Sequence, residues 1–199
     1  MTTWPAATPV EAGTELLERA VSYTRASLSL VTADDLGRST PCRDWRLAEL
    51  LRHMDDSLQA LHEAGATGQV RLRPDLDPAV GEPGLSVVKS LRRRACALLG
   101  AWSLRHAEEQ VVVSGRVLPA SLVALTGALE IAVHGWDVAR ACGVDRPLPD
   151  ELARALLAAA PSLISAEDRG QRFAPAVPVA AGASASRRLL ALTGRQPAR

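Results

Sequence analysis

Apolar residues recur at intervals of three and four through most of the chain, which is the spacing of helices with one buried face. The pattern predicts four long helices over about residues 10–31, 44–64, 85–106 and 119–142, and shorter ones at 150–161 and near 189–192. Asp44 is expected to cap the second helix, which should end before Gly65. Three valines before Ser114 and Gly115, and Val117 and Leu118 after them, predict a small β-hairpin.

Four helices of this length, joined by short links and one long loop, predict an all-α fold: an up-down four-helix bundle with a small β-hairpin and a C-terminal helical extension. Residues 1–164 are expected to form the bundle, and residues 165–199 an extension packed on it. The long loop, residues 65–84, is rich in glycine and proline. Loops of this length are often functional, so we expect a substrate to enter between this loop and the bundle.

Composition narrows the class of protein. The 199 residues are 47% hydrophobic and 23% charged, with a formal net charge of +1. This balance is typical of a globular protein and lacks the basic excess of a nucleic-acid binder. We see no apolar run long enough to span a membrane and no secretory leader, so a cytoplasmic protein is expected. The three cysteines, Cys42, Cys96 and Cys142, are widely spaced, which disfavours a disulfide framework and favours small buried side chains.

Candidate chemistry appears in the fourth helix. Glu130 and His134 are four residues apart, one turn along the same face, so both could reach one metal ion. The next residue, Gly135, is unfavourable in a helix unless something approaches closely. Such Glu–His pairs are also common on solvated faces, and a catalytic zinc site usually has three protein ligands. The second helix offers His53 and His62 as a third ligand, and position alone does not choose between them.

Three segments together resemble the DinB/YfiT-like metalloprotein superfamily, in particular the actinobacterial branch that contains the mycothiol-dependent maleylpyruvate isomerase. Residues 40–53 read TPCRDWRLAELLRH and resemble the entrance to helix 2 in that branch. Residues 130–137 read EIAVHGWD and are similar to its Glu-x-x-x-His-Gly-Trp-Asp segment. The FAP of residues 173–175 and the LLALTGRQP of residues 189–197 are similar to its usual C-terminal pattern.

The resemblance implies that His53, Glu130 and His134 bind one divalent metal ion and form the catalytic centre. Nitrogen and oxygen ligands of this kind suit zinc best among the expected metals, and also nickel, manganese or iron. Asp137 would either orient a ligand from behind or be an acid on the helix surface. Cys42 is expected to pack against its neighbours rather than act as a nucleophile or ligand.

The function implied is that of a divalent-metal-dependent enzyme. It would use a metal-activated small thiol, mycothiol or a similar one, for S-transfer or isomerisation of an electrophilic small molecule, with secondary metabolism a fitting setting. The alternative is a non-catalytic metal-binding stress or regulatory protein. Arg52, Arg140 and the arginines near Arg92 are candidates for holding an acidic group, and nothing in the sequence selects one. A homodimer formed through a flat helix face is also expected.

Overall fold

A computed structural model describes residues 9–42, 45–70, 86–105, 109–170 and 172–197. In these ranges the α-helices are α1 (Pro9–Leu28), α2 (Leu47–Thr67), α3 (Ser86–Ser103), α4 (Ala120–Ala141), α5 (Asp150–Leu163) and α6 (Ala185–Leu192). The strands are β1 (Gln69–Val70), β2 (Gln110–Val113) and β3 (Arg116–Pro119). The predicted fold class, a helical bundle with a small sheet and a helical C-terminal part, is confirmed.

The helices of the bundle form two parallel pairs. α1 packs along α4, with Gly13 beside Ser121 at one end and Thr24 beside Gly135 further along. α2 packs along α3 in the same way, from the Asp55–Arg94 ion pair to the contact of Gly65 with Trp102. α2 and α4 run in opposite directions. The four helices therefore run up, down, down and up, and the two pairs meet where α2 crosses α4 and where α1 contacts α3.

The hairpin predicted between the third and fourth helices is present. Strands β2 and β3 are antiparallel and are joined at Ser114 and Gly115, which both have positive φ angles, 51° and 75°. This turn geometry suits the right-handed twist of the strands. A third strand, β1, pairs in parallel with β2. Its two residues are too few to show a strand pattern in the sequence.

The second helix differs from the prediction at its C-terminal end. It continues through Gly65 to Thr67 and ends at Gly68, whose φ of 72° is left-handed. Gly65 is small for a packing reason, because a Cβ there would lie 2.9 Å from the Trp102 indole ring. Residues 65–70 are therefore helix and strand instead of loop. The remainder of the predicted loop and the predicted cap, Asp44, lie outside the described residues.

Helix α4 is the central helix of the bundle. From Gly127 to Ala139 only Glu130 is not buried. The helix is covered by α1, α2, α5 and the C-terminal residues, so it has no broad solvent-facing side. It is also long and apolar enough to cross a membrane by those criteria alone. However, 78% of its most apolar stretch is buried inside the protein, as in the core helix of a globular fold.

The residues after the bundle return to the end of α4. α5 packs on α4 and α1, and α6 packs on α5. The fifth helix extends two residues past its predicted end, with Pro161 accommodated in its last turn. We call residues 165–197 the C-terminal segment. It is tied together by Arg169, which donates hydrogen bonds to the carbonyls of Ala174 and Leu192 at 3.1 and 2.6 Å. The division into residues 1–164 and 165–199 stays a prediction.

Candidate metal centre

The crossing of α2 and α4 brings His53, Glu130 and His134 together. Glu130 Oε1 lies 2.7 Å from His53 Nε2 and 3.2 Å from His134 Nε2. One ligand atom from each side chain lies within 4.8 Å of the others. Glu130 and His134 share a face of α4 because they are one turn apart. His53 comes from the antiparallel neighbour, seventy-seven residues earlier in the chain.

His134 is held from behind by a buried carboxylate. Its Nδ1 lies 2.9 Å from Asp137 Oδ2, and the Asp137 side chain is completely buried. Burial excludes the alternative that Asp137 is an acid on the helix surface. An imidazole whose Nδ1–H donates to a carboxylate presents the lone pair of Nε2 on its other side. That nitrogen is the one that faces Glu130.

Asp137 is in turn paired with Arg195 of the C-terminal segment. Arg195 Nη2 lies 2.8 Å from Asp137 Oδ2, and Arg195 Nε lies 3.3 Å from Oδ1, so the guanidinium and carboxylate meet as a two-pronged pair. Both residues are buried. Sequence reasoning did not identify Arg195 as a residue of the site. Its only signal was its place in the Thr-Gly-Arg of the resembling C-terminal pattern.

The charges of this cluster shift its pKa values in consistent directions. Burial alone would lower the pKa of His134, but the negative charge of Glu130 and the hydrogen bond to Asp137 raise it to about 9. Burial would raise the pKa of Glu130, but the neighbouring His134 charge and hydrogen bonds from both histidines hold it well below its ordinary value. Burial would likewise raise the pKa of Asp137, and Arg195 overcomes this and lowers it. The cluster is therefore built to hold a positive charge between carboxylates.

His53, Glu130 and His134 line a cleft of about 330 Å³. One wall is apolar and comes from α2 and α4, with Leu61, Leu129 and Val133 among its residues. The opposite wall comes from the C-terminal segment and carries Arg172, Phe173 and Arg195. The ring of Trp45 lies over His53, with the ring centroids 4.8 Å apart. A molecule in this cleft would thus meet an apolar surface, the His–Glu–His cluster and the half-exposed Arg172, which also pairs with Asp168 at 3.0 Å.

The surroundings of the site differ from the expectations at the arginines, whereas most of the predicted loop lies outside the described residues. The described part of the predicted loop, residues 65–70, contributes nothing to the cleft, whose opposite wall is the C-terminal segment. Arg52 and Arg92 are exposed on other surfaces, and Arg140 lies over Trp136 and pairs with Asp145. None of these three arginines lines the cleft. Sequence position could not show this, because the arginines that line it come from a segment distant in the chain.

His62, the other histidine of α2, does not line the cleft. His62 lies in a separate groove between α2 and α3, beside Ala97 and Leu104. Cys42 and Cys142 are half-buried, and Cys42 lies at the cleft beside Arg195. Cys96 is exposed, contrary to the expectation of a buried side chain. Its neighbours Ala95 and Leu98 take the core-facing positions of α3, so Cys96 is turned outwards.

The donor set fits a divalent metal ion. Two imidazole nitrogens and one carboxylate oxygen are the ligand types of three-coordinate protein sites for zinc, which leave a fourth position open. Ligand atoms around one zinc ion lie roughly 3–3.5 Å apart when each is about 2.0–2.1 Å from the metal. The spacings of 2.7 and 3.2 Å around Glu130 need only small side-chain movements to meet that requirement. A ligating histidine usually has a carboxylate or carbonyl behind it, and Asp137 occupies that place behind His134.

These features define a helical bundle with a candidate metal centre between two antiparallel helices. The chain belongs to the family described as the mycothiol maleylpyruvate isomerase N-terminal domain, whose model matches residues 17–139. The matched region contains His53, Glu130, His134 and Asp137. It ends before Arg195.

Individual proteins and solved structures are also similar to this chain. Two uncharacterized proteins of Mycobacterium tuberculosis, one from each of two strains, are 27% identical over 154 residues, which cover 77% of this chain and 80% of theirs. The crystal structure of the mycothiol-dependent maleylpyruvate isomerase has a TM-score of 0.58 at 21% identity, covering 80% of this chain and 72% of that one. A histidine-to-alanine variant of that isomerase gives 0.59 at 20% identity, with the same coverage. At this identity the likeness establishes a shared fold.

Proposed function

We propose that this protein is an enzyme in which His53, Glu130 and His134 bind one divalent metal ion, zinc by preference, and a small thiol acts on an electrophilic small molecule in the adjacent cleft. The observation that carries the proposal is the convergence of three ligand atoms from two helices at a cleft large enough for a substrate. A bound ion of this kind lowers the pKa of a thiol or polarises a carbonyl group.

The protein's own residues divide the remaining work. Asp137 accepts the Nδ1–H of His134 and so directs Nε2 towards the ligand cluster. Leu61 and Leu129 offer an apolar surface to the body of a substrate, and Arg172 places a positive charge at the rim. An anionic electrophile with an apolar body matches these surfaces. Its reactive carbon would lie close to the His–Glu–His cluster.

The thiol is proposed to be mycothiol or a similar one, because the family takes its name from a mycothiol-dependent isomerase. S-transfer and thiol-assisted isomerisation share one requirement, a thiolate present near neutral pH beside an electrophile. Both reactions are therefore compatible with the site. We further propose that the protein acts in secondary metabolism and lies in the cytoplasm. We also propose that it forms a homodimer.

The test is turnover of an electrophile by the purified full chain with mycothiol. Maleylpyruvate and chlorodinitrobenzene would be the two substrates, each assayed with zinc and after removal of metal by a chelator. We expect turnover that falls at least tenfold with chelator and recovers with zinc. His53→Ala should abolish it, whereas the matched variant His62→Ala, on the same helix but in the other groove, should leave it unchanged.

The outcomes separate the candidate functions. Zinc binding without turnover of any electrophile would favour the non-catalytic metal-binding protein. Turnover that is insensitive to chelator and to His53→Ala would remove the metal centre from the reaction. Turnover of chlorodinitrobenzene but not of maleylpyruvate would assign S-transfer instead of isomerisation.

A further inference from the structure

We propose that Arg195 is a positioning residue of the candidate metal centre. It fixes the Asp137 carboxylate in the orientation in which that group accepts the Nδ1–H of His134, and it thereby directs His134 Nε2 into the cluster. The C-terminal segment would thus complete a centre whose ligands all lie in the bundle. The inference rests on the metal centre proposed above and adds a residue outside the region that the family model matches.

The contacts form a continuous chain from the C-terminal segment to the ligand. Arg195 reaches Asp137 through Nη2 at 2.8 Å and Nε at 3.3 Å. Asp137 Oδ2 lies 2.9 Å from His134 Nδ1, and His134 Nε2 lies 3.2 Å from Glu130 Oε1. A planar guanidinium that holds both carboxylate oxygens leaves the carboxylate little freedom to rotate. The orientation of the imidazole is set by the same contact.

Burial makes this contact necessary. The Asp137 side chain is 0% exposed, and that of Arg195 is 8% exposed. A buried carboxylate that loses its cationic partner must find other donors or rearrange. In the described part of the chain, the other side chain that pairs with the Asp137 carboxylate is His134 itself. If Arg195 were lost, the Asp137 carboxylate would move, and the orientation of the candidate ligand His134 would change with it.

The backbone around Arg195 is shaped to place it. Gly194 has a φ of 82°, a left-handed conformation that ends α6, and a Cβ there would lie 2.6 Å from Ala174 Cβ and 2.9 Å from Ala174 O. The Arg195 amide donates to the Leu190 carbonyl at 2.9 Å. Only glycine meets both requirements at position 194 without strain. The turn brings the arginine back over α4.

Arg195 also lines the cleft, so binding of a substrate anion is the competing role. Each of its three nitrogens already has a partner within the protein: Nε and Nη2 contact Asp137, and Nη1 donates to the Thr193 carbonyl at 2.9 Å. These contacts hold the guanidinium in a fixed orientation against α4 and the C-terminal segment. This arrangement favours positioning over capture of a ligand.

The first test is zinc affinity of the full-length protein, measured by competition with a chromophoric chelator. We expect Arg195→Gln to weaken zinc binding about 10- to 100-fold, the usual cost of losing a residue that orients a metal ligand. Arg188→Gln is the matched control, since Arg188 lies in α6 and is exposed, and it should bind zinc like the unaltered protein. Arg195→Lys keeps a charge but loses the two-pronged contact, so its affinity should be intermediate. It also serves as the second variant if Arg195→Gln folds poorly. Zinc affinity of Arg195→Gln and Arg195→Lys within twofold of the unaltered protein would overturn the proposal.

The second test needs no metal. In the metal-free protein, NMR should show a slowly exchanging imidazole proton on His134 Nδ1, assigned by its loss in His134→Gln. We expect this signal to persist in Arg188→Gln and to broaden or vanish in Arg195→Gln and Arg195→Lys. A signal that is unchanged in both Arg195 variants would overturn the positioning role. If the unaltered protein binds no zinc but the signal depends on Arg195, the metal centre fails while the positioning of His134 by Arg195 is supported.

Discussion

The two sides of helix α4 differ in how closely they are packed. The side facing α1 is closely packed, and Gly135 is so near Thr24 that a Cβ on the glycine would lie 2.2 Å from Thr24 Oγ1. The side facing α2 holds Glu130 and His134 beside an open cleft. On that side, the atoms nearest to a Cβ on Gly127 would belong to the flexible Leu61 side chain, the nearest being a terminal methyl at 2.7 Å.

The difference shows how one helix can serve both stability and chemistry. Thr24 donates a hydrogen bond to the Ile131 carbonyl at 2.8 Å, so the α1 side fixes the height and rotation of α4. The candidate ligands Glu130 and His134, on the other side of the same helix, are held in place by this contact as well. A rigid support is what a metal centre requires, since its ligands must be held in place before the ion binds. We expect substitutions on the α1 side to lower the stability of the fold. Substitutions on the cleft side should impair metal binding with a smaller effect on stability.

The largest effect is expected for Glu130→Gln. An amide removes the charge between the two histidines and is a poor metal ligand, so zinc affinity should fall by about a thousandfold, or ~4 kcal/mol. Competition with a chromophoric chelator measures it. Glu18→Gln, an exposed position on α1, is the control. Similar affinities for the two variants would show that Glu130 is not a ligand.

Gly135→Ala tests the closely packed side. Its methyl group would collide with Thr24, and overpacking of this kind costs about 1–3 kcal/mol of unfolding free energy. Denaturation with urea measures the change. Gly100→Ala is the matched control, because a Cβ at Gly100 in α3 would meet nothing within 4 Å, and there alanine should stabilise by about 0.5–1 kcal/mol. Equal effects at both glycines would contradict the account of this interface.

The next largest effect is expected for the pH dependence of zinc binding, which reflects the proton on His134. Because its pKa is raised to about 9 from 6.5, this proton stabilises the metal-free protein fully below about pH 6.5, and the contribution is lost as pH rises through about 9. Zinc must displace the same proton. Its affinity should therefore fall about tenfold for each pH unit below 9.

Zinc titrations at about pH 6.5, 7.5 and 8.5 measure this dependence. The free energy of unfolding of the metal-free protein provides the complementary measurement. The free energy of unfolding of the metal-free protein should exceed that of His134→Gln at low pH. This difference should shrink as the pH rises through about 9. Zinc affinity that stays constant over the range would show that His134 does not exchange a proton for the ion.

The smallest effect is expected for Gly127→Ala on the cleft side. Alanine is worth about 1 kcal/mol more than glycine within a helix, and this gain offsets the cost of moving the flexible Leu61 side chain towards the cleft. The free energy of unfolding should change by less than about 0.5 kcal/mol. A loss as large as that of Gly135→Ala would show that the two sides of α4 are packed alike.

Much of this arrangement could be predicted from the sequence, for reasons that are local. The recurrence of apolar residues at intervals of three and four predicted the helices. The four-residue spacing of Glu130 and His134 predicted that these two side chains share one face of α4. Gly135 suggested a close approach, which Thr24 now explains. Gly65 was misinterpreted as a helix end, because a glycine required by a neighbouring tryptophan looks the same in sequence as one required by a turn.

The remaining features depended on contacts between distant segments. His53 and His62 lie on one helix with similar surroundings in sequence, and only the crossing of α2 with α4 separates the candidate ligand from the residue in the other groove. The same holds for Arg195, whose partner Asp137 is fifty-eight residues away. The sequence by itself determined the helical periodicity, the hairpin turn and the shared face of Glu130 and His134, since these follow from the backbone geometry of a few neighbouring residues. The tertiary structure decided which side chains meet, because helix crossings are set by the packing of the whole core.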